Sequence, residues 1–159
     1  MPGEDFYYQP MADGEEDLVC SLIARVFDAQ VTPSYTSNGK STFLRMLSPH
    51  RLAEMANGEY SFVVVAKYRG RPVGVVAVIA RSHIALLFVE SGMQGRGIGR
   101  HLLEIAADTV CHKYPEVSAL TVSSSQNSIS FYVHAGFTED GEEVDEEGMR
   151  FMPMKKPIG

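Results

Sequence analysis

One segment constrains the fold more than any other: LLFVESGMQGRGIGRHLLEIA, residues 86–106, where an apolar strand pattern gives way to a helical pattern across one short loop. Glycine in such a loop allows positive φ and lets a ligand approach the backbone closely. The exposed N–H groups and the dipole of a helix N-terminus attract anions, and Arg96 and Arg100 add positive charge. The segment therefore predicts a phosphate or pyrophosphate site built around three glycines: Gly95, Gly97 and Gly99.

Two other phosphate-binding motifs do not fit this loop. A dinucleotide-binding GxGxxG motif requires a third glycine where Leu102 stands, and an acidic residue at the end of the next strand, whereas Glu116 precedes that strand. A P-loop requires lysine after its second glycine, at the position of Ile98. A nucleotide-binding protein is therefore only a minor alternative.

The charge is unevenly distributed along the chain. The 159 residues include 14 basic and 20 acidic side chains, which give a formal net charge of −6. This balance argues against binding to nucleic acid or to an anionic membrane. The acids concentrate in residues 1–17 and 139–147, and basic residues outnumber acidic ones between these segments. The middle of the chain therefore suits an anionic ligand although the whole chain is acidic.

Cysteine, histidine and hydropathy patterns exclude further classes. Cys20 and Cys111 belong to no CxxC motif, so we expect buried free thiols in a reducing, cytoplasmic environment. The five histidines show no ligand spacing such as HExxH, and we expect no metal site. The N-terminal sequence MPGEDFYYQP lacks the basic and apolar regions of a signal peptide, and no apolar run is long enough for a membrane span.

Residue periodicity predicts an α/β (α+β) fold, in which a mixed sheet of six or seven strands is flanked by about four helices. Because strand and helix patterns alternate in the second half of the chain, we expect at least one parallel crossover. Arg69-Gly70-Arg71 joins two β-branched runs as a hairpin. The predicted strands are 6–11, 61–68, 72–81, 83–90, 117–124, 137–138 and 149–154; the predicted helices are 15–29, short segments after Asn38 and Pro49, 97–113 and 127–135; residues 139–147 form a turn.

Two motifs resemble those of the GNAT-type acetyl-CoA-dependent N-acetyltransferases. Gln94-Gly95-Arg96-Gly97-Ile98-Gly99 matches the family signature Q/R-x-x-G-x-G/A, and the segment 128–137, SISFYVHAGF, is similar to A-x-x-F-Y-x-x-x-G-F. The resemblance is clear over 61–137, extends to the last strand and is weak over 1–60. The chain departs from the family pattern at Ser123 and Ser125, where an asparagine often contacts the pantetheine arm, and at Ser128, where alanine is usual.

The resemblance implies one acetyl-CoA-binding domain over 1–159, with acceptor-side helices in 1–60, a cofactor-binding core in 61–137 and a C-terminal hairpin in 138–159. The sheet would be mostly antiparallel and GNAT-like, with a splayed central parallel strand pair, 83–90 and 117–124, that admits the thioester. The residues that would bind the cofactor are Phe88, Val89, Gln94, Gly95, Arg96, Gly97, Ile98, Gly99, Arg100, Ser125, Ser128 and Phe131.

Acetyl transfer to an amine sets three chemical requirements. An amine with a pKa near 10.4 is almost entirely protonated at pH 7, so a base must remove a proton. Glu90 is the best-placed acid, although a solvated glutamate at a strand end explains it equally well. The Val89 N–H is a candidate donor to the tetrahedral oxyanion. By resemblance, Tyr132 would give a proton to the thiolate leaving group.

The resemblance therefore implies an N-acetyltransferase that moves an acetyl group from acetyl-CoA, as co-substrate and without a metal, directly to a primary amine of a small molecule or protein. The alternative is a non-catalytic acyl-CoA-binding sensor module. The acids of 139–147 either attract a cationic acceptor or form only a solvated hairpin tip. Monomer and homodimer both stay open, and we expect neither a nucleic-acid nor a membrane partner.

Overall fold

The chain alternates between strands and short helices that pack on both faces of one mixed sheet. The structure, a computed structural model, describes residues 6–31 and 34–159, so the first five residues of the N-terminal acidic segment lie outside the described residues. The elements in chain order are β1 Phe6–Pro10, α1 Glu16–Val31, α2 Ser37–Met46, α3 Pro49–Asn57, β2 Phe62–Tyr68, β3 Arg71–Ile79, β4 His83–Val89, α4 Ile98–Lys113, β5 Ala119–Ser124, α5 Ile129–His134, β6 Thr138–Glu139, β7 Val144–Glu146 and β8 Met149–Pro157.

The sheet has the strand order β1-β2-β3-β4-β5-β8-β6, with β7 paired to the first residues of β8. Only β4 and β5 are parallel among the described pairs. The expected mixed, mostly antiparallel sheet is therefore confirmed. The described residues contain eight strands, one more than expected, and five α-helices, one at each of the five predicted helical segments. The extra strand, β7, lies inside the acidic segment that the sequence predicts as a turn.

Two apolar layers cover the sheet, one on each face. The first lies under α4, whose buried residues are Ile98, Leu102, Leu103, Ala106 and Val110. The second lies under α1 and α3 and includes Leu22, Val26, Phe27 and Leu52. Because both faces are covered, β2 and β3 are apolar along nearly their whole length instead of alternating with polar residues.

A bulge in β4 opens the sheet. Ala77 of β3 pairs with Leu86 and Val78 pairs with Ile84, so Ala85 has no partner on β3. Ala85 and Leu86 consequently both face the layer under α1, whereas Ile84 faces α4. A bulge bends its strand. The pairing between β4 and β5 ends just before it, at Ile84–Val122, and the two strands separate toward their C-terminal ends.

The segment that begins α2 is docked on the C-terminal hairpin. The Thr36 N–H donates to the Gly148 carbonyl at 2.8 Å, and the Arg150 N–H donates to the Ser34 carbonyl at 3.0 Å. A Cβ added to Gly39 would lie 2.2 Å from the Gly148 carbonyl oxygen, so only glycine permits this approach. The start of α2 is thereby fixed to the acidic hairpin.

Two further expectations concern the burial of the cysteines and the absence of a membrane-spanning helix. Cys20 and Cys111 are free thiols, half-buried rather than fully buried. Each lies on a helix whose apolar face covers the sheet, at a position on the edge of that face. None of the helices formed by the described residues combines the length and apolar character that a membrane span requires.

Candidate active site

A cavity of about 480 Å³ opens where β4 and β5 separate. Its walls come from the end of α1, the C-terminal half of β4, the glycine-rich loop with the first turn of α4, and the segment 127–132. The cavity brings together many of the residues that the sequence singles out: Val89, Gln94, Gly95, Gly97, Ile98, Gly99, Arg100, Ser128, Phe131 and Tyr132. Four others, Phe88, Glu90, Arg96 and Ser125, are not among the lining residues.

The three glycines of the loop are required for two different reasons. Gly95 and Gly97 have φ of 81° and 80°, and a Cβ at either position would meet nothing within 4 Å. Their conformation, not crowding, therefore favours glycine. Gly99 is crowded instead, because a Cβ there would lie 3.2 Å from Cζ of Phe131 and 3.6 Å from Cγ2 of Val89. The loop thus turns sharply into α4 while α4 packs closely against the cavity wall.

The N-terminus of α4 carries uncompensated positive charge. Arg96 and Arg100 are both exposed. Within the described part of the chain, neither makes a hydrogen bond or an ion pair. The first turn of α4 contains no acidic residue. Two guanidinium groups without a described partner, beside the unpaired N–H groups of a helix N-terminus, are an arrangement that suits an anion.

The main chain of β4 presents alternate residues to the gap. The Glu90 N–H donates to the Val73 carbonyl of β3 at 2.8 Å, and neighbouring residues of a strand point their polar groups in opposite directions. Leu87 and Val89 therefore face the gap. Their carbonyls accept side-chain amides, Leu87 from Gln30 Nε2 at 2.9 Å and Val89 from Gln94 Nε2 at 3.1 Å.

The neighbouring residue Phe88 faces elsewhere. By the same alternation its main chain faces β3, and its side chain is buried in the layer under α1, 6.5 Å from the Phe27 ring and 6.2 Å from the Phe43 ring. Phe88 therefore contributes packing behind the cavity. The gap-facing position that the sequence interpretation assigned to Phe88 is occupied by Leu87.

Tyr132 lies in the cavity wall as a buried phenol. It is 5% exposed, and its ring packs against Phe131 and Phe137 with centroid separations of 5.2 Å in both cases. Burial raises the pKa of the Tyr132 hydroxyl, so the group stays protonated at neutral pH. No hydrogen bond between this hydroxyl and another described residue is present. The side chain is therefore a proton donor without an acceptor among the described residues.

Glu90 lies just beyond β4 and is bound to α1. Arg25 donates from Nη2 to Oε2 at 2.9 Å and from Nε to Oε1 at 3.3 Å. The pair is partly exposed, with 31% of the Glu90 side chain accessible. Glu90 follows Phe88 by two residues and so shares its face of the strand, on the side of α1 and α2. The carboxylate therefore stands outside the cavity, on the side of the sheet where the acceptor is expected.

Several cavity residues have no counterpart in the sequence interpretation. Gln30 and Ala29 come from the end of α1, and Asn127 comes from the 3₁₀ turn Gln126–Ser128. Asn127 stands two residues after Ser125, the position at which the family pattern often has asparagine, so a search around that position could have found it. Ser125 is displaced from the cavity wall and hydrogen-bonds Ser128 Oγ at 3.2 Å. Nothing in the sequence signals Gln30.

The described residues do not form a candidate metal site. Within residues 6–31 and 34–159, no three His, Cys, Asp or Glu side chains cluster in a way that could hold a metal ion. The polar groups around the cavity are amides, hydroxyls and arginines, which suit phosphates and amide carbonyls.

A family model of the acetyltransferase (GNAT) domain matches residues 31–158. The chain therefore belongs to the GNAT acetyltransferase family. Its fold is similar to that of a GCN5-related N-acetyltransferase from Rhodopseudomonas palustris, with a TM-score of 0.81 and 18% identity over 96% of this chain and 95% of that one. It is also similar to the PaiA N-acetyltransferase of Thermoplasma acidophilum in complex with coenzyme A, with a TM-score of 0.78 and 16% identity over 96% and 99% of the two chains.

A curated relative matches a shorter stretch. The peptidyl-lysine N-acetyltransferase YjaB of Escherichia coli (strain K12) is 30% identical over 86 residues, which are 54% of this chain and 55% of that protein. The chain thus matches about half the length of the curated relative. The likeness to the solved structures supports the fold.

Proposed function

We propose that this protein is an N-acetyltransferase that moves an acetyl group from acetyl-CoA to a primary amine of a small molecule or a protein. The observation that carries the proposal is the cavity between β4 and β5, which leads to the N-terminus of α4 with its two free arginines. A splayed parallel pair has unsatisfied main-chain groups that an amide-containing ligand can pair with, and the helix N-terminus at its mouth suits a pyrophosphate.

The residues of the cavity divide into those that would hold the phosphates and those that would hold the pantetheine arm. Arg96, Arg100 and the N–H groups of the segment 94–100 would bind the pyrophosphate. The gap-facing main chain of Leu87 and Val89 would pair with the pantetheine amides. Ser128 and Phe131 would line the arm on the side of β5. Phe88 would support this arrangement from behind, and Ser125 would act only through its hydrogen bond to Ser128.

Starting from a protonated amine, the reaction needs two protons removed from the nitrogen and one supplied to the sulfur. The amine nitrogen attacks the thioester carbonyl carbon, the carbon–sulfur bond then breaks, and the departing thiolate takes a proton. Tyr132 would supply that proton, since its hydroxyl is protonated and the residue lines the cavity. Glu90 would take one proton from the ammonium group before the attack, so that the neutral amine is the nucleophile. The nitrogen loses its second proton after the attack, and this proton returns to the Tyr132 phenolate, so that one proton in total is released through Glu90. The gap-facing N–H of Leu87, two residues farther from the glycine-rich loop than Val89, would donate to the oxyanion of the tetrahedral intermediate, in place of the Val89 N–H that the sequence suggested.

The acceptor is expected to meet the face that carries α1, α2 and the acidic hairpin. On this hairpin Glu143 pairs with Arg150 at 3.1 Å and Asp140 pairs with Lys155 at 3.5 Å. The remaining acids of the segment, Glu139, Glu142, Asp145, Glu146 and Glu147, make no ion pair with a described residue. This surplus of negative charge favours a cationic amine over a neutral one.

A panel of amines tests the proposal. The purified protein is incubated with acetyl-CoA and, separately, a polyamine, a lysine-containing peptide, a peptide with only an α-amino group, an aminoglycoside and a neutral alkylamine. We expect thiol release equal to the amount of acetylated amine, with higher kcat/KM for the cationic acceptors. Coenzyme A binding without thiol release for every acceptor would indicate a sensor module, and no binding of coenzyme A would overturn the proposal entirely.

The role of Glu90 is tested by its pH dependence. Glu90→Gln should lower kcat at pH 7 by about tenfold or more, because general-base assistance is lost. The difference in kcat between Glu90→Gln and the unmodified protein should become smaller as the pH approaches the pKa of the acceptor amine, since the amine then loses its proton to solvent. The measurement is kcat between about pH 7 and pH 10 for both proteins.

Arg25→Gln is the matched variant for Glu90→Gln. It removes the same ion pair but leaves the carboxylate in place. If the two variants lose the same activity at every pH, Glu90 positions α1 and does not act as the base.

A further inference from the structure

Gln30, at the end of α1, is fixed beside the gap between β4 and β5. Its Nε2 donates to the Leu87 carbonyl of β4 at 2.9 Å. Its main-chain carbonyl lies 3.5 Å from Oγ of Ser125, which directly follows β5. Gln30 also lines the cavity. The end of α1 is therefore held from both sides of the gap, with an amide side chain at the cavity wall.

The amide of Gln30 has an acceptor atom to which no described residue donates. Because Nε2 is the atom that donates to a carbonyl, the other polar atom of the side chain is the oxygen, Oε1. No hydrogen bond from a described residue to Oε1 is present. Among the described residues, no polar side-chain atom is both buried and without a hydrogen-bond partner, so Oε1 is accessible. Gln30 therefore offers a ligand in the cavity an acceptor that no described residue uses.

The main chain of Leu87 fixes which part of the cofactor would lie at this level. The Leu87 N–H and carbonyl both face the gap, and the carbonyl is the nearer of the two to the glycine-rich loop that follows β4. In coenzyme A, two carbon atoms separate the sulfur from the closest amide. If the Leu87 N–H holds the thioester oxygen, this amide lies next to the Leu87 carbonyl, as a peptide group does in a paired strand. That carbonyl already accepts the Gln30 amide.

We propose that Gln30 binds the cofactor and sets the position of the thioester: Oε1 accepts the N–H of the pantetheine amide closest to the sulfur, while Nε2 stays bonded to the Leu87 carbonyl. The inference rests on the proposed function, because it takes the phosphates at the N-terminus of α4 and the thioester at the Leu87 N–H. The Gln30 amide then stands between β4 and the arm and connects them, as a peptide group of a central strand connects its two neighbours.

The pantetheine N–H needs an acceptor at this level because it gives up water when it enters the gap. A polar group that loses water without gaining a partner is unfavourable. The primary amide of glutamine donates and accepts at the same time, so no internal hydrogen bond has to break when Oε1 accepts. The alternative is that the arm displaces Gln30 from the Leu87 carbonyl, in which case removal of the amide would not weaken binding.

Two variants and one altered cofactor test the inference. Gln30→Met keeps the length of the side chain but replaces the amide with a thioether, which is only a weak acceptor. The altered cofactor is a coenzyme A analogue in which an ester replaces the amide closest to the sulfur, so that the N–H is lost and the length of the arm is kept. Gln126→Met is the matched control, because the Gln126 side chain donates to Glu143 and does not line the cavity. Calorimetry gives the dissociation constants of coenzyme A and of the analogue for all three proteins.

Gln30→Met should weaken coenzyme A binding by roughly tenfold, the size expected for one lost hydrogen bond. The unmodified protein and Gln126→Met should bind coenzyme A about tenfold more tightly than the analogue, whereas Gln30→Met should bind the two nearly equally. This loss of discrimination is expected only if Oε1 and the N–H bond each other, because the effects of two independent changes would add.

The outcomes distinguish this inference from the proposed function. An unchanged or tighter dissociation constant for coenzyme A in Gln30→Met would overturn the inference, since the arm would then displace the side chain. Equal weakening of coenzyme A and the analogue would also overturn it, because Gln30 would then only support β4. Both results leave the proposed function intact when the unmodified protein acetylates amines. If the unmodified protein binds coenzyme A but transfers no acetyl group, the proposed function fails, and the same constants still decide the role of Gln30. Absence of coenzyme A binding would overturn both.

Discussion

Tyr132→Phe should lower kcat by about 10²- to 10⁴-fold, the range typical of a lost proton donor, with little change in the dissociation constant for acetyl-CoA. The substitution removes only the hydroxyl. The ring keeps its packing against Phe131 and Phe137, and no hydrogen bond to another described residue is broken. Binding and folding should therefore be preserved while the thiolate loses its proton source. Steady-state kinetics combined with calorimetry of acetyl-CoA binding checks the result.

Tyr114→Phe is the matched control for this substitution. Tyr114 is also a buried tyrosine, at 5% exposure, but its hydroxyl donates to the Glu59 carbonyl at 2.9 Å far from the cavity. Its loss should cost about 1 kcal/mol of unfolding free energy and leave kcat unchanged. An unchanged kcat in Tyr132→Phe, or an equal loss in both variants, would remove Tyr132 from the proposed catalytic role.

The protonation state of Tyr132 adds a dependence on pH. Because burial raises the pKa of the hydroxyl above its usual value of 10, the group remains protonated throughout the neutral and mildly alkaline range. Activity should therefore not decline between about pH 7 and pH 9 through loss of this proton. It should instead rise over this interval as the acceptor amine becomes neutral.

Replacing Arg96 and Arg100 together by alanine should weaken coenzyme A binding by roughly 10²- to 10⁴-fold, since each charge-assisted hydrogen bond contributes about 1.5–3 kcal/mol. Both guanidinium groups are exposed and have no partner among the described residues, so no internal ion pair has to break before a phosphate binds. The loss should appear in KM for acetyl-CoA and in its dissociation constant, with a smaller effect on kcat at saturation.

The control for this pair keeps the change in net charge but moves it away from the cavity. Arg45, in α2, and Arg71, at the start of β3, are both exposed, and neither lines the cavity. Their double replacement by alanine should leave coenzyme A binding nearly unaltered. Binding by the unmodified protein should also weaken as salt is added. Equal losses in the two double variants would mean that only long-range charge, and not a pyrophosphate site, is involved.

Short-range patterns explain why much of the fold could be predicted. Continuous β-branched runs mark β2 and β3, and the spacing of Ile98, Leu102, Ala106 and Val110 marks α4, because burial against a sheet requires those periodicities. β7 could not be predicted in the same way. Its residues, Val144 to Glu146, are mostly acidic and become a strand only because β8 offers main-chain partners. From the sequence alone, the same residues are predicted to be part of a turn.

The candidate site shows the same difference between features that are local in sequence and features that depend on distant residues. The loop at 94–100 could be predicted because glycine conformation and helix-terminal charge are local properties, and both appear in the structure as expected. The contacts of Glu90 and Gln30 could not. Glu90 is joined to Arg25 across 65 residues and Gln30 to Leu87 across 57. Such pairs form when elements distant in the chain pack together, and no spacing in the sequence encodes them.

The sequence by itself determined the elements other than β7, the glycine-rich loop and the family, since each depends on residues close together in the chain. Only the tertiary structure decided which backbone groups face the gap, because a single unpaired residue, Ala85, shifts the alternation of β4. It likewise decided that Phe88 packs behind the cavity, that Glu90 stands outside it and that Gln30 lines it. The orientation of a side chain in a bulged strand depends on register with its neighbours, which only the assembled sheet fixes.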